Sequence, residues 1–212
     1  MIEVIEQINA VRRRVGRRTL DAGEAHSVII SQVYAAPIDD VWDACTNPVR
    51  IPRWFLPVTG DLKPGGHYQI EGNASGTIER CDPPREFAAT WEFGGQTTWI
   101  EVRLTSEPPG GTRLEIEHIA DPGTPWAEFG PGAVGVGWDM ALIGLVIHLA
   151  SGQSVDPQDG AAWMTSAPGR EFITLSSGRW RDADVAAGTD EVDAQAAADR
   201  TLAAYTADPG NG

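Results

Sequence analysis

Two side chains in this sequence could move a proton if the fold brought them together. His118 follows Leu114 and Ile116 in an alternating segment, which predicts a strand with all three on one face. Asp139 lies inside Gly130 to Leu149, GPGAVGVGWDMALIGLVIHL, a run that predicts a buried helix. An imidazole and a carboxylate within hydrogen-bond reach in an apolar pocket could serve as an acid–base pair for a cyclase- or hydratase-like reaction. The same residues also fit a structural role: a core histidine satisfied by a carbonyl, and an aspartate that pairs with an arginine or caps a loop. No motif links the two positions, so both readings stand and no reaction is assigned. Other chemistries find less support. His26, His67 and His148 lack ligand spacing, so no metal site is expected. Dinucleotide and phosphate-binding glycine patterns are absent, so no nucleotide cofactor is expected. Ser151, Ser154, Ser176 and Ser177 stand outside any G-x-S-x-G context. Two cysteines, Cys45 and Cys81, are too few for a disulfide framework or a structural zinc site.

The aromatic residues suggest binding rather than catalysis. The chain has eight tryptophans in 212 residues. Trp54, Trp91, Trp99, Trp126 and Trp138 fall in segments that would surround a cavity, where aromatic walls suit a flat or hydrocarbon ligand. Trp42 belongs to a helix face and reads as core. The expected contacts of a small apolar ligand are Trp54, Phe55, Tyr68 and Ile78, together with Trp91, His118 and Trp138. Asp139 would be the main polar anchor. The competing reading is that these aromatics fill the interior.

These side chains need elements to hold them. Residues 26–34, HSVIISQVY, are β-branched and apolar and predict a first strand. Pro37 suits the first helical position, and Asp39 and Asp40 favour the positive end of the helix dipole. Ile38, Val41, Trp42 and Cys45 then give that helix one apolar face, and Asn47-Pro48 stops it. A lid-like segment ending in Trp54-Phe55 follows. Turn signals then separate short strands at 57–61, 67–71, 76–81, 86–93, 97–106 and 112–120. Such close spacing implies an antiparallel meander, because parallel strands need long crossovers. Ile100, Val102 and Leu104 share a face, as do Phe87, Ala89, Trp91 and Phe93. Glu101, Arg103, Glu115 and Glu117 occupy the opposite side, so the sheet has one apolar face that needs a cover. The helix at about 131–150 is that cover.

The ends carry charge. Arg12, Arg13, Arg14, Arg17 and Arg18 make a basic run, and Ile5, Ile8, Val11 and Val15 supply an apolar side at helix-like spacing, predicting an N-terminal helical arm over residues 1–25 whose solvated face pairs with Glu3, Glu6 or other carboxylates. Residues 26–152 form the main domain, and 153–212 an extension with a short helix near 161–164 and longer ones over 169–187 and 190–206. Asp182, Asp184, Asp190, Glu191, Asp193, Asp199 and Asp208 make that extension acidic, and residues 209–212 should fray. A net charge of −14 argues against nucleic acid and anionic membranes as partners. The helix at 131–150 is long enough to cross a bilayer, but a central Asp139 is costly in lipid. No secretory signal pattern opens the chain, and the free cysteines suit a reducing cytoplasm.

Several motifs occur in a telling order: AAPIDDVWDACTNPVRIPRWF (35–55), GDLKPGGHYQIEG (60–72), GTIERCDPPREFAATWEF (76–93), GTRLEIEHIA (111–120) and GWDMALIGLVIHL (137–149). Over roughly residues 26 to 150 the chain resembles the START-like SRPBCC superfamily, which includes the birch-pollen allergen, polyketide cyclases and lipid-transfer domains. Within it, the chain is most similar to bacterial relatives of the activator of the heat-shock-protein-90 ATPase, and its extension looks like that of actinobacterial members. The resemblance implies an α+β helix-grip fold: a curved antiparallel sheet of about six or seven strands wrapped on a long C-terminal helix, with extra C-terminal helices. It also implies a deep cavity between sheet and helix, often for an apolar ligand. It does not imply one function, since the superfamily holds carriers, enzymes and protein-binding modules. A chaperone-cofactor role and a homodimer through the C-terminal helices therefore stand beside ligand binding.

Overall fold

The computed structural model describes residues 3–20, 23–120 and 126–207. The expected fraying of residues 209–212, and Asp208, lie outside them. The fold is α+β. Eight antiparallel strands form one curved sheet in the order β1-β2-β8-β7-β6-β5-β4-β3. They are β1 (Arg12–Leu20), β2 (Gly23–Tyr34), β3 (Val58–Gly60), β4 (His67–Ile70), β5 (Ser75–Asp82), β6 (Glu86–Phe93), β7 (Gln96–Glu107) and β8 (Gly111–Ala120). The Gly- and Pro-rich turns separate the strands of the meander. A register shift between Ile78 and Arg80 interrupts the β5–β6 ladder, a feature that bends a strand and increases its twist.

The N-terminal arm is the main correction. Among the described residues of the arm only Val4–Ala10 form a helix, α1, and the arginines lie on β1, antiparallel to β2. The apolar spacing of Ile5, Ile8, Val11 and Val15 predicted a longer helix. The free edge of β2 offers a row of unpaired backbone groups, and pairing with β1 satisfies them. The alternation of a strand then sorts the arginines. Arg14 and Arg18 reach Glu115, Glu101 and Glu117 on the outer face of the sheet, where Arg103 also pairs with Glu101. Arg13, opposite Ile30, points inward.

The helix α2 (Ile38–Thr46) follows β2, with Pro37 as its N-cap rather than its first helical residue. A 3-10 turn at Ile51–Arg53 leads to Trp54. After a short helix, α3 (Trp126–Phe129), the long helix α4 (Gly132–Ser151) lies across the concave face of the sheet. By length and composition α4 could cross a membrane, but its Val136, Leu142 and Leu145 join the main core with Val28, Ile30, Val102 and Leu114. Burying each such side chain is worth about 1.5–3 kcal/mol. The fold is that of a soluble protein.

The extension packs against the far side of α4. It comprises α5 (Pro157–Thr165), α6 (Ala167–Ala186) and α7 (Glu191–Thr206). The Asp190 side chain caps α7 by accepting from the Val192 N–H. Two glycines of α4 are explained by close approach. A Cβ at Gly135 would meet the buried Trp180 ring at 2.3 Å, and one at Gly144 would meet the Trp54 carbonyl oxygen at 2.1 Å.

Candidate ligand cavity and the His118 relay

The apolar concave face and α4 enclose a cavity of about 140 Å³. Trp138, Leu142 and Leu145 descend into it from α4 at i, i+4 and i+7, one helical face. Tyr68 and Ile70 on β4, and Phe87, Ala89 and Trp91 on β6, form the opposite wall through strand alternation. Trp54 and Phe55 close one side. Trp54 is fixed by donating its indole N–H to the Ala44 carbonyl at 2.9 Å, and its ring lies 5.6 Å from that of Phe55. Phe55 in turn stacks 6.5 Å from Trp138. The lining has almost no polar surface. Cys45 is part of it, and burial pushes its thiol up to about 12, so it behaves as a small apolar group rather than a nucleophile.

Of the residues expected to contact a ligand, Trp54, Phe55, Tyr68, Ile78, Trp91 and Trp138 all line this cavity. His118 does not. It lies beyond the Trp91–Trp138 pair, whose ring centroids are 5.3 Å apart, and faces a second, larger cleft. Trp99 is also elsewhere: its position on β7 alternates with those of Thr98 and Ile100, and it joins the outer face near Arg18 and Glu101. Trp126 stacks on His26 at 4.5 Å and borders the second cleft.

Asp139 is the larger correction. It lines neither space. Its carboxylate accepts from Arg13 Nε at 2.8 Å and Nη2 at 2.7 Å, from Ser176 Oγ at 2.6 Å and from Trp180 Nε1 at 2.9 Å. Both members of the ion pair are buried. Consecutive residues of an α-helix point about 100° apart, and here that turn directs Trp138 to the sheet and Asp139 to Arg13, Ser176 and Trp180. The carboxylate therefore ties β1 and α6 to α4, and is not a polar anchor for a cavity ligand.

His118 has its own complete set of partners. Trp138 Nε1 donates to His118 Nδ1 at 3.1 Å. An indole nitrogen is a donor only, so Nδ1 must be bare and the ring proton sits on Nε2. Nε2–H then donates to Thr98 Oγ1 at 2.8 Å, and Thr98 donates to the Trp91 carbonyl at 3.1 Å. Burial lowers the imidazole to about 4, so it is neutral at physiological pH. The His118–Asp139 dyad is not formed: each group spends its bonds on other residues. Sequence alternation located the His118 face, but the Thr98 and Trp138 contacts depend on strand register and helix rotation.

Residues 35–150 match the family described as Activator of Hsp90 ATPase homolog 1-like protein. The chain belongs to this family. It is also similar to CalU16 from Micromonospora echinospora, whose crystal structure is 40% identical, with 85% of this chain and 99% of that one covered and a TM-score of 0.67. The solution structure of the same protein gives 41% identity, 85% and 97% coverage, and a TM-score of 0.69. An HSP90 activator from Plasmodium falciparum shares the fold at 21% identity, covering 60% of this chain and 96% of that one, with a TM-score of 0.51. No curated protein matches the chain. In this member of the Activator of Hsp90 ATPase homolog 1-like family, every wall of the apolar cavity lies inside the matched residues. Arg13, Ser176 and Trp180, the partners of Asp139, lie outside them.

Proposed function

We propose that the protein binds a small apolar or amphipathic molecule between the sheet and α4. The observation that carries this reading is an apolar cavity of about 140 Å³, walled by Trp54, Phe55, Trp91 and Trp138. A hydrocarbon-lined cavity of roughly 150 Å³ stays dry and accepts a benzene-sized guest. The space as it stands fits one aromatic ring or a short branched chain, and a longer ligand enters by displacing the Trp54–Phe55 segment. The nearly nonpolar lining favours binding by shape and burial over chemistry. The enzymatic alternative rested on a His118–Asp139 pair, and those two residues bond elsewhere.

Ligand-observed NMR with toluene tests this proposal, alongside Ala89→Leu. Ala89 is buried on the cavity wall, so added methyl groups project into the space. Saturable toluene binding that Ala89→Leu abolishes is the expected result. Absence of saturable binding by the wild type, up to the solubility limit, overturns the reading. Native mass spectrometry of gently purified protein, searching for a retained small molecule, then identifies the ligand class.

A further inference from the structure

The second cleft, of about 430 Å³, lies on the other side of the Trp91–Trp138 pair. Its floor is the sheet end, at Thr98, His118 and Ala120. Its roof comes from α4 at Ala133 and Val134, and from α7 at Thr201, Ala204 and Tyr205. The α7 residues lie beyond the family match, so this space is made jointly by the family fold and the extension. We propose that it is a separate binding site for a neutral aromatic molecule bearing a hydroxyl group.

Three observations carry the assignment. The cleft is aromatic: Trp91, Trp126 and Phe129 line it, and Phe93 stands at its border 60% exposed, a large apolar side chain with no core to fill. Flat rings suit such walls. Next, among the described residues no Lys, Arg, Asp or Glu lines it, and His118 is held neutral, so a ligand charge would find no counter-charge among them. Finally, its hydroxyl hydrogens are already committed. Thr98 donates to the Trp91 carbonyl while accepting from His118, and Tyr205 donates to the Ala133 carbonyl at 3.1 Å. What these two oxygens have left is acceptor capacity. The site therefore offers these oxygens to a ligand that donates, such as a phenol. This assignment does not depend on the occupancy of the apolar cavity, with which it shares only Trp91.

The test uses 2-naphthol, naphthalene and 2-naphthoate as probes of the full chain, followed by quenching of tryptophan fluorescence. One added hydrogen bond of ~1 kcal/mol corresponds to about fivefold in affinity. We expect saturable binding of 2-naphthol, about fivefold weaker binding of naphthalene, and still weaker binding of 2-naphthoate. Ala204, on the exposed side of α7, offers a blocking position. Ala204→Trp should abolish 2-naphthol binding and leave toluene binding in the apolar cavity intact, whereas Ala89→Leu should do the reverse. An intermolecular NOE from 2-naphthol to the Trp126 indole gives the location without any variant. Equal binding of naphthalene and 2-naphthol overturns the ligand class. Loss of 2-naphthol binding in Ala89→Leu but not in Ala204→Trp, or an NOE to Leu142 in place of Trp126, overturns the site.

Discussion

Removing Arg13 should destabilise the protein more than removing any of the other arginines of β1. Arg13 and Asp139 form a two-pronged pair at 2.7 and 2.8 Å, with side chains only 4% and 0% exposed. Arg14 and Arg18 make their ion pairs at the surface, with side chains 66% and 39% exposed, where such pairs contribute at most about 1 kcal/mol. In Arg13→Met the apolar stem is roughly replaced, but Asp139 keeps a charge with no cation beside it. Breaking a buried pair from one side costs about 3–5 kcal/mol. Arg13 Nη1 also donates to the Ile8 and Val11 carbonyls, at 3.0 and 3.1 Å, and losing those bonds adds to the effect. A domain whose whole stability is about 5–15 kcal/mol loses a large share of it.

The second arm of the experiment separates charge from packing. Asp139→Asn alone leaves the Arg13 guanidinium buried without a carboxylate and should also destabilise. The double variant Arg13→Met with Asp139→Asn removes both charges, and the amide oxygen can still accept from Ser176 or Trp180. It should recover at least half of what Arg13→Met loses. Urea unfolding at pH 7 is the assay. With a slope of about 2 kcal/mol per molar, Arg13→Met moves the midpoint down by roughly 2 M. An Arg13→Met loss below about 1 kcal/mol, or a double variant no more stable than the worse single one, refutes the reasoning. Toluene binding by the double variant provides a check on site geometry: the amide oxygen keeps α4 tied to α6 through Ser176 and Trp180, so affinity should be unchanged.

Three further outcomes follow from the same geometry. The folded-state pKa of His118 lies below its unfolded value, so its contribution is full above about pH 6.5 and falls with pH down to about 4, where no more is lost; His118→Gln should flatten this part of the profile, which amounts to about 3 kcal/mol in urea unfolding measured across that window. Gly144→Ala, which in an exposed helix would stabilise by up to ~1 kcal/mol, should instead lower the thermal midpoint, because its Cβ would lie 2.1 Å from the Trp54 carbonyl oxygen. The same variant should raise the exchange rate of the Trp54 indole proton bonded to Ala44, and an unchanged rate would mean the segment does not rest on α4.

How much of this was legible in the residues depends on the kind of signal. Turn chemistry is local, so Lys63-Pro64-Gly65-Gly66 and Pro108-Pro109-Gly110-Gly111 separated β3 from β4 and β7 from β8 without any structure. Alternation is also local, and it placed Phe87, Ala89 and Trp91 on one wall. The strand β1 was not legible, because what turns Arg12–Leu20 into a strand is the free edge of β2, a neighbour that a helical period cannot reveal. Asp139 failed for a different reason. A helix that is apolar on nearly all sides carries no moment, so its sequence does not say which residue faces the sheet.

That ambiguity matters for function. Trp138 and Asp139 are neighbours in the chain, yet one closes the apolar cavity and holds His118 through Nδ1, while the other is bound by Arg13, Ser176 and Trp180. A rotation of α4 that moved Trp138 away from His118 would also pull Asp139 from its partners on β1 and α6. The extension therefore does more than cover a helix. By fixing the rotation of α4 it sets the position of Trp138, and with it the partition between the two spaces. Family members that lack an equivalent of the Arg13 and Trp180 contacts would have to fix that rotation by other means. Grafting only residues 35–150 of this chain should accordingly give a cavity whose Trp91–Trp138 wall is no longer held in register, with toluene affinity reduced even where the sheet still forms.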